Sequence, residues 1–449
     1  MKNSKIDMFE TGIKDARVLG RPKMLLLGIQ HMFAMFGATV LVPLLTGLSI
    51  QVTLIFAGVD TLLFHLFSKF KVPAFLGSSF AFLGGFAVIS RLNTGVYEGL
   101  SDAEKLPYAL GGIVVSGFVY LLVALLVKTV GVKRVMRFLP PIVTGPIIML
   151  IGLKLAPVAV DMASTNWILA FIAFAVIIIC NIWGRGMIKI LPILMGLVVS
   201  YGVALIMNFM GVTNPDGSSV LNFASAAEAS WIGLPPFMLA KFDITAILIM
   251  VPIAIATVME HIGDMSAISA TVGEDFIEDP GLHRTLLGDG LATITSSMFG
   301  SSANTTYGEN TGVLVLSKVY DPRVVRIAAV FAIILSLTPK MEGVISTVPT
   351  AIIGGISFVL YGMIAAVGVR NIVENKVDFA KMRNVIIAAV ILVSGLGFTE
   401  GITLNVFGTD MTLTNLAIAS IVGIVLNAVL PGNDYVFGKD SKGDVNFKV

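Results

Sequence analysis

Gly300-Ser301-Ser302-Ala303-Asn304-Thr305-Thr306-Tyr307-Gly308-Glu309-Asn310 sits in the membrane region of this sequence yet does not read as a simple apolar helix. Gly, Ser and other weak helix formers come first, and a more helical stretch follows. Pro73-Ala74-Phe75-Leu76-Gly77-Ser78-Ser79-Phe80-Ala81-Phe82 has the same design. Inside a bilayer, extended backbone is tolerable only where protein or a watery cavity satisfies its polar groups. If each stretch opens into a half-helix, its N-terminal amides and positive dipole end point to the bilayer centre. A single stretch of this kind reads as a small-residue packing surface. Two at corresponding positions of two halves read as a binding site.

The rest of the chain supplies the membrane. Of 449 residues, 56% are hydrophobic and 13% charged, with 45 Gly, and the mean hydropathy is +0.92. Soluble domains carry about 25% charged residues, so a soluble protein of this size has too little polar surface to cover its apolar side chains. One cysteine, Cys180, excludes a disulfide scaffold, and a net charge of +2 argues against nucleic acid as partner. A span needs about 20 apolar residues, and fourteen segments qualify as an all-α polytopic protein. They lie near 24–46, 50–68, 72–90, 108–130, 135–158, 167–184, 188–210, 242–268, 283–299, 302–317, 322–338, 343–368, 384–398 and 414–430. Segment 1–23 has no apolar core of a cleavable signal. With both termini cytoplasmic, 25 of the 30 basic residues fall on the cytoplasmic side, all but Arg91, Lys105, Lys154, Lys241 and Lys340. Seven spans per half, an odd number, makes the second half run inverted. The longest loop, 211–241, is mildly apolar and reads as an extracellular interfacial segment.

Ionisable residues inside spans mark the chemistry. Glu260, His261 and Asp264 follow a long apolar run in the eighth span, and Glu260 and Asp264 share a helix face. Glu309 adds a third acid in the tenth. Unpaired carboxylates there are costly, so at least one holds a proton or a partner. Acids that change protonation are what proton coupling needs. Gln30 and His31 read equally as cavity-facing or as bonds between helices, whereas Asp60, His65 and Asp289 read as structural and Cys180 as inert core. No phosphate-binding glycine loop and no metal-spaced His/Cys cluster is present, so neither cofactor nor metal is expected.

Gln30-His31-Met32-Phe33-Ala34-Met35-Phe36-Gly37-Ala38-Thr39, Gly77 to Phe82, Glu260-His261-Ile262-Gly263 and Asn304 to Asn310 occur in order. Together they resemble the nucleobase–ascorbate transporter family, and within it the bacterial uracil permeases, from about Pro22 to Leu430. Glu309-Asn310-Thr311-Gly312 through Ser317-Lys318 is similar to the family signature, with Ser317-Lys318 where Thr-Arg is often found. The resemblance implies two inverted seven-span repeats. A core domain takes 24–130 and 242–338, a gate domain 135–210 and 343–430, with a cytoplasmic tail at 431–449. It also implies short strands in the third and tenth spans, paired antiparallel at the substrate, and a homodimer built mostly through the gate. Carried over by position, Glu260 and Glu309 bind the base through their carboxylates, Phe80 and Gly308 contribute backbone, and Ser79, Tyr307 and Asn310 lie nearby. Glu260, Glu309, Asp264 and His31 are the proton-coupling candidates, and import of uracil with protons across the cytoplasmic membrane is the implied function.

Uracil suits such a site. Its N–H groups are donors for carboxylates, its carbonyls acceptors for amides at half-helix starts, and Phe80 and Tyr307 offer rings to cover its faces. One departure matters: uracil permeases of this kind can carry histidine where Asp264 stands. Glu260-x-x-Gly263-Asp264 resembles purine-transporting relatives, which commonly show glutamine at the Glu309 position. Glu309 favours uracil, and xanthine is the alternative. An intramembrane enzyme using Asp264 and Asp289, or an ion channel, would leave the paired broken spans without a purpose.

Overall fold

The computed structural model describes residues 12–399, 401–406 and 409–432, so most of the two charged tails lies outside the described residues. Each of the fourteen segments carries helix. The first four are α1 (Arg21–Thr46), α2 (Ile50–Phe67), α3 (Leu83–Arg91, preceded by strand β1, Leu76–Ser78) and α4 (Asp102–Val130). Then come α5 (Pro141–Ser164), α6 (Trp167–Trp183) and α7 (Pro192–Phe209). The second half holds α8 (Ile244–Met250), α9 (Ile253–Val272), α10 (Leu282–Met298), strand β2 (Asn304–Thr306) and α11 (Gly308–Ser317). It continues with α12 (Pro322–Ser336), α13 (Pro339–Ile345), α14 (Thr350–Glu374), α15 (Met382–Gly397), β3 (Ile402–Val406), β4 (Thr409–Leu413) and α16 (Asn415–Val429).

Among the described residues, seven helices are long and apolar enough to cross a membrane, or eight if the bent pair α12–α13 counts as one span. The protein is a mostly helical, polytopic membrane protein. Its surface agrees: on α6, Leu169, Ala170, Ala173, Ile177 and Cys180 are buried along one stripe, while Trp167, Ile168, Phe171, Ile182 and Trp183 on the other face are all exposed. An apolar face of that extent marks contact with lipid or with another protein surface.

Proline and glycine set most of the boundaries that differ from expectation. The eighth span is two helices, because Pro252 has no N–H to continue the ladder. The eleventh ends at Ser336, and α13 departs from it at 88°, so the twelfth span does not begin at 343. It starts after Pro349 and runs to Glu374. The fourth starts earlier than 108, at Asp102, where Ser101 and Glu104 form a reciprocal capping box. A hairpin, β3 paired antiparallel with β4 from Ile402↔Leu413 to Val406↔Thr409, fills the connection before α16.

Packing follows the apolar faces. α10 lies against α4 and α2, and α12 against α2 and α1. α14 lies along α5 and α6, while α15 packs on α16 and α5. Helix α9 touches members of both sets, α5 and α16 on one side and β2 and α11 on the other.

Candidate functional site

The two broken stretches meet. β1 pairs antiparallel with β2 through Leu76↔Thr306, Gly77↔Thr305 and Ser78↔Asn304. Ser79 N–H to the Ala303 carbonyl (2.8 Å) and Tyr307 N–H to the Phe75 carbonyl (3.0 Å) extend the ladder by one residue at each end. A three-residue ribbon cannot hold itself in the interior of a protein, and the surrounding helices fasten it. From α2, Thr61 accepts the Leu76 N–H at 2.9 Å, and His65 Nε2 lies 2.9 Å from the Ala74 carbonyl. β2 is fastened by acids: Asn304 Nδ2 donates to Asp60 of α2, and Thr306 Oγ1 donates to Asp264 of α9 at 2.5 Å.

Gly77 explains why the ribbon forms at that position. A Cβ there would meet the Tyr307 ring at 2.4 Å, so only glycine lets the ring lie on the strand. Tyr307 Oη then donates to the Ser78 carbonyl at 3.1 Å and receives Thr39 Oγ1 at 3.4 Å. The Tyr307 side chain is therefore buried, with its ring against Gly77 and its hydroxyl engaged. Phe80 is covered on one side by Tyr361 of α14, edge-on with centroids 6.0 Å apart.

Both half-helices start bare. α3 follows Phe82 and α11 follows Tyr307, and neither has a side-chain cap. Their first N–H groups therefore lack intrahelical partners. At α11 the space in front is open: Gly308 is exposed and a Cβ on it meets nothing within 4 Å. Glu309 stands in that first turn, partly buried. On the adjoining α9, Glu260 Oε2 is buried without any hydrogen-bond partner. A carboxylate oxygen left unpartnered next to free amides describes a place for a ligand that donates to the first and accepts from the second.

The other candidates differ in how far they are engaged. Asn310 Nδ2 lies 3.1 Å from both Nδ1 and the carbonyl of His31, tying α11 to α1, and Ser79 Oγ is buried without a partner. His261 Nδ1 and Asp289 Oδ2 lie 2.8 Å apart and fully buried, so Asp289 faces His261 while Asp264 faces Thr306. Tyr361 and Thr61 went unnoticed from the sequence, and Thr306 was read only as part of its motif. Tyr361 and Thr61 are each a hydroxyl in a largely apolar run, a signal that fits many helix contacts equally well.

Known proteins match this arrangement in sequence and in shape. A family model described as a permease family matches residues 22–404. A uracil permease of Bacillus caldolyticus is 40% identical over 421 residues, covering 90% of this chain and 91% of that one. The chain belongs to the nucleobase–ascorbate transporter family. A uracil permease of Bacillus subtilis is 38% identical over 422 residues, covering 90% of this chain and 91% of the relative. The transmembrane domain of a cyanobacterial bicarbonate transporter superposes with a TM-score of 0.61 at 14% identity, over 93% of this chain and 99% of that one; at that identity the likeness concerns the fold alone. Members of this family are permeases, so the intramembrane-enzyme reading falls.

Proposed function

We propose that this transporter imports uracil by proton symport. The observation that carries the reading is the buried, unpartnered Glu260 Oε2 on the helix adjoining the uncapped start of α11, where Gly308 is exposed and Glu309 stands in the first turn. Glu260 and Glu309 accept the ring N–H groups, and backbone at Phe80 and Gly308 meets the carbonyls. Asn310, His31 and Ser79 shape the surround, and Asp264 shares the proton with Glu260. Uracil as substrate is supported by the relatives named uracil permeases. A purine such as xanthine is the second reading, favoured by Asp264.

In this reading fourteen spans form two inverted halves of seven. α1–α4 with α8–α12 make a core, and α5–α7 with α14–α16 make a gate, with the ends of the chain in the cytoplasm and the gate forming a homodimer in the cytoplasmic membrane. The packing of α10 and α12 on α2, and of α14 on α5 and α6, supports this division. The core carries the base past the gate, and neutralised carboxylates cross at little desolvation cost.

The test is counterflow of labelled uracil in proteoliposomes, with competition by thymine, xanthine, guanine and ascorbate. Uracil should compete best. Accumulation should rise with an inward proton gradient, collapse with a protonophore and ignore replacement of sodium by choline. Xanthine outcompeting uracil transfers the assignment to purines, and sodium-dependent accumulation that survives a protonophore removes the proton mechanism.

A further inference from the structure

Of the five basic residues that the charge pattern leaves on the wrong side, Lys154 alone lies mid-helix, within Pro141–Ser164. Its ammonium donates to Asn415 Oδ1, at the first residue of α16. It also lies over the first turn of α3, where a Cβ on Gly84 would be 3.1 Å from Nζ. Phe80, Gly84, Lys154, Ile253 and Thr414 line one void between these elements. An ammonium has three N–H donors, and Asn415 is its one polar partner among the described residues. No carboxylate pairs with it there. The starts of α3 and α16 add positive dipole ends to the same place. A charge so poorly compensated is expensive to keep inside a membrane protein unless something negative visits it.

We infer that Lys154 is a positioning residue for the return of the empty core. The inference rests on symport by movement of core against gate. In that cycle Lys154 and Asn415 belong to the gate and stay together, while the contact with Gly84 of the core is made and broken. After base and proton leave, the core must travel back with its acids ionised. Carboxylates crossing an apolar interface lose their hydration, and a stationary cation beside the path offsets that loss by direct attraction. The acids travel along this same helix of the gate. Ile253 of α9 borders the Lys154 void, and a Cβ on Gly263 would lie 3.8 Å from Ile148 of α5. Glu260 stands between Ile253 and Gly263 on α9, about 10 Å along the axis from Ile253. The loaded core, with its acids protonated or bonded to the base, has no need of the cation. Lys154 therefore acts on one leg of the cycle and not on the other.

Exchange and net uptake separate the two legs, since exchange uses only loaded crossings. The full-length protein is reconstituted as wild type, Lys154→Met and Lys154→Arg, with labelled uracil as probe. For Lys154→Met, uracil binding and uracil–uracil exchange should stay within about twofold of wild type while gradient-driven net uptake falls about tenfold or more. Lys154→Arg, which keeps the charge, should recover most of the net uptake. A Lys154→Met protein in which exchange and net uptake fall together, or in which neither falls, overturns the inference. Wild-type protein that exchanges no uracil overturns the uracil reading instead.

Discussion

The two broken spans share a backbone design and divide the chemistry unequally. Residues 72–82 are fastened by neutral groups, Thr61 and His65, and bring to the centre little but main chain and the Phe80 ring. Residues 300–310 are fastened by carboxylates, Asp60 and Asp264, and carry a third, the partly buried Glu309, in the first turn of α11. The two stretches share the strand and the bare helix start. They do not share side chains, so one is free to specialise in shape and the other in charge.

The largest expected difference between them is in binding. In the proposed binding mode, Glu309→Gln keeps the size but turns one acceptor oxygen into a donor that would face a base N–H. Loss of a charge-assisted hydrogen bond of about 1.5–3 kcal/mol should weaken uracil binding roughly tenfold to a hundredfold. Ser79→Ala in the first stretch should change it by about twofold or less, since the hydroxyl has no partner to lose. Equal losses in the two variants, read by equilibrium binding in detergent, would break the asymmetry.

A smaller difference concerns stability, and its sign is reversed. Gly77→Ala drives a methyl into the Tyr307 ring, and overpacking of this kind costs about 1–3 kcal/mol. Gly308→Ala meets nothing within 4 Å and should leave thermal unfolding in detergent unchanged, with its effect confined to ligand affinity. An unstable Gly308→Ala protein would show that the space before α11 is structural.

The smallest effect lies where each broken span reaches the surface. The second is followed by two backbone bonds, Ile13 N–H to the Lys318 carbonyl at 2.7 Å and Tyr320 N–H to the Ile13 carbonyl at 2.8 Å, and by Asp321, a buried carboxylate that accepts the Ala16 N–H at 2.8 Å. The first is preceded by Lys71, whose ammonium donates to Asp279 and holds that carboxyl below its ordinary range. A lowered carboxylate pKa stabilises the fold above the unfolded value near 4 and stops doing so as pH falls through the folded value. Asp279→Asn should therefore lower the unfolding temperature slightly at pH 7, and the gap from wild type should narrow as pH drops below about 4. A gap that persists at low pH would mean that the ion pair is not its source.

Much of this was legible in one dimension because a bilayer imposes one-dimensional rules. Apolar run length, the side on which Lys and Arg collect, and the cost of interrupted backbone are all properties of a segment by itself, and they located the long helices and both breaks, though not the short helix-bearing stretches at Val132–Met136 and Ala224–Glu228. The acids were visible for the same reason, since Glu260, Asp264 and Glu309 stand out against apolar neighbours. The β3–β4 hairpin was written in the alternation Ile402-Thr403-Leu404-Asn405-Val406, but a short strand between two apolar runs has no signal strong enough to compete with loop.

What a residue's neighbours do with it belongs to the fold. Asp264 and Glu260 share a helix face, yet Asp264 receives Thr306 of β2 while Glu260 Oε2 is left without a partner. Tyr307 reads as a ring for a ligand, and Gly77, more than 200 residues earlier, takes it for packing. Lys154 reads as an exception to a charge rule until α3 and α16 are seen to meet around it. Composition and periodicity act along the chain and determined that this is a polytopic membrane protein with two broken spans. Hydrogen bonds and Coulomb attraction act over a few ångströms between segments hundreds of residues apart, and only the tertiary structure decides which atoms come within that range.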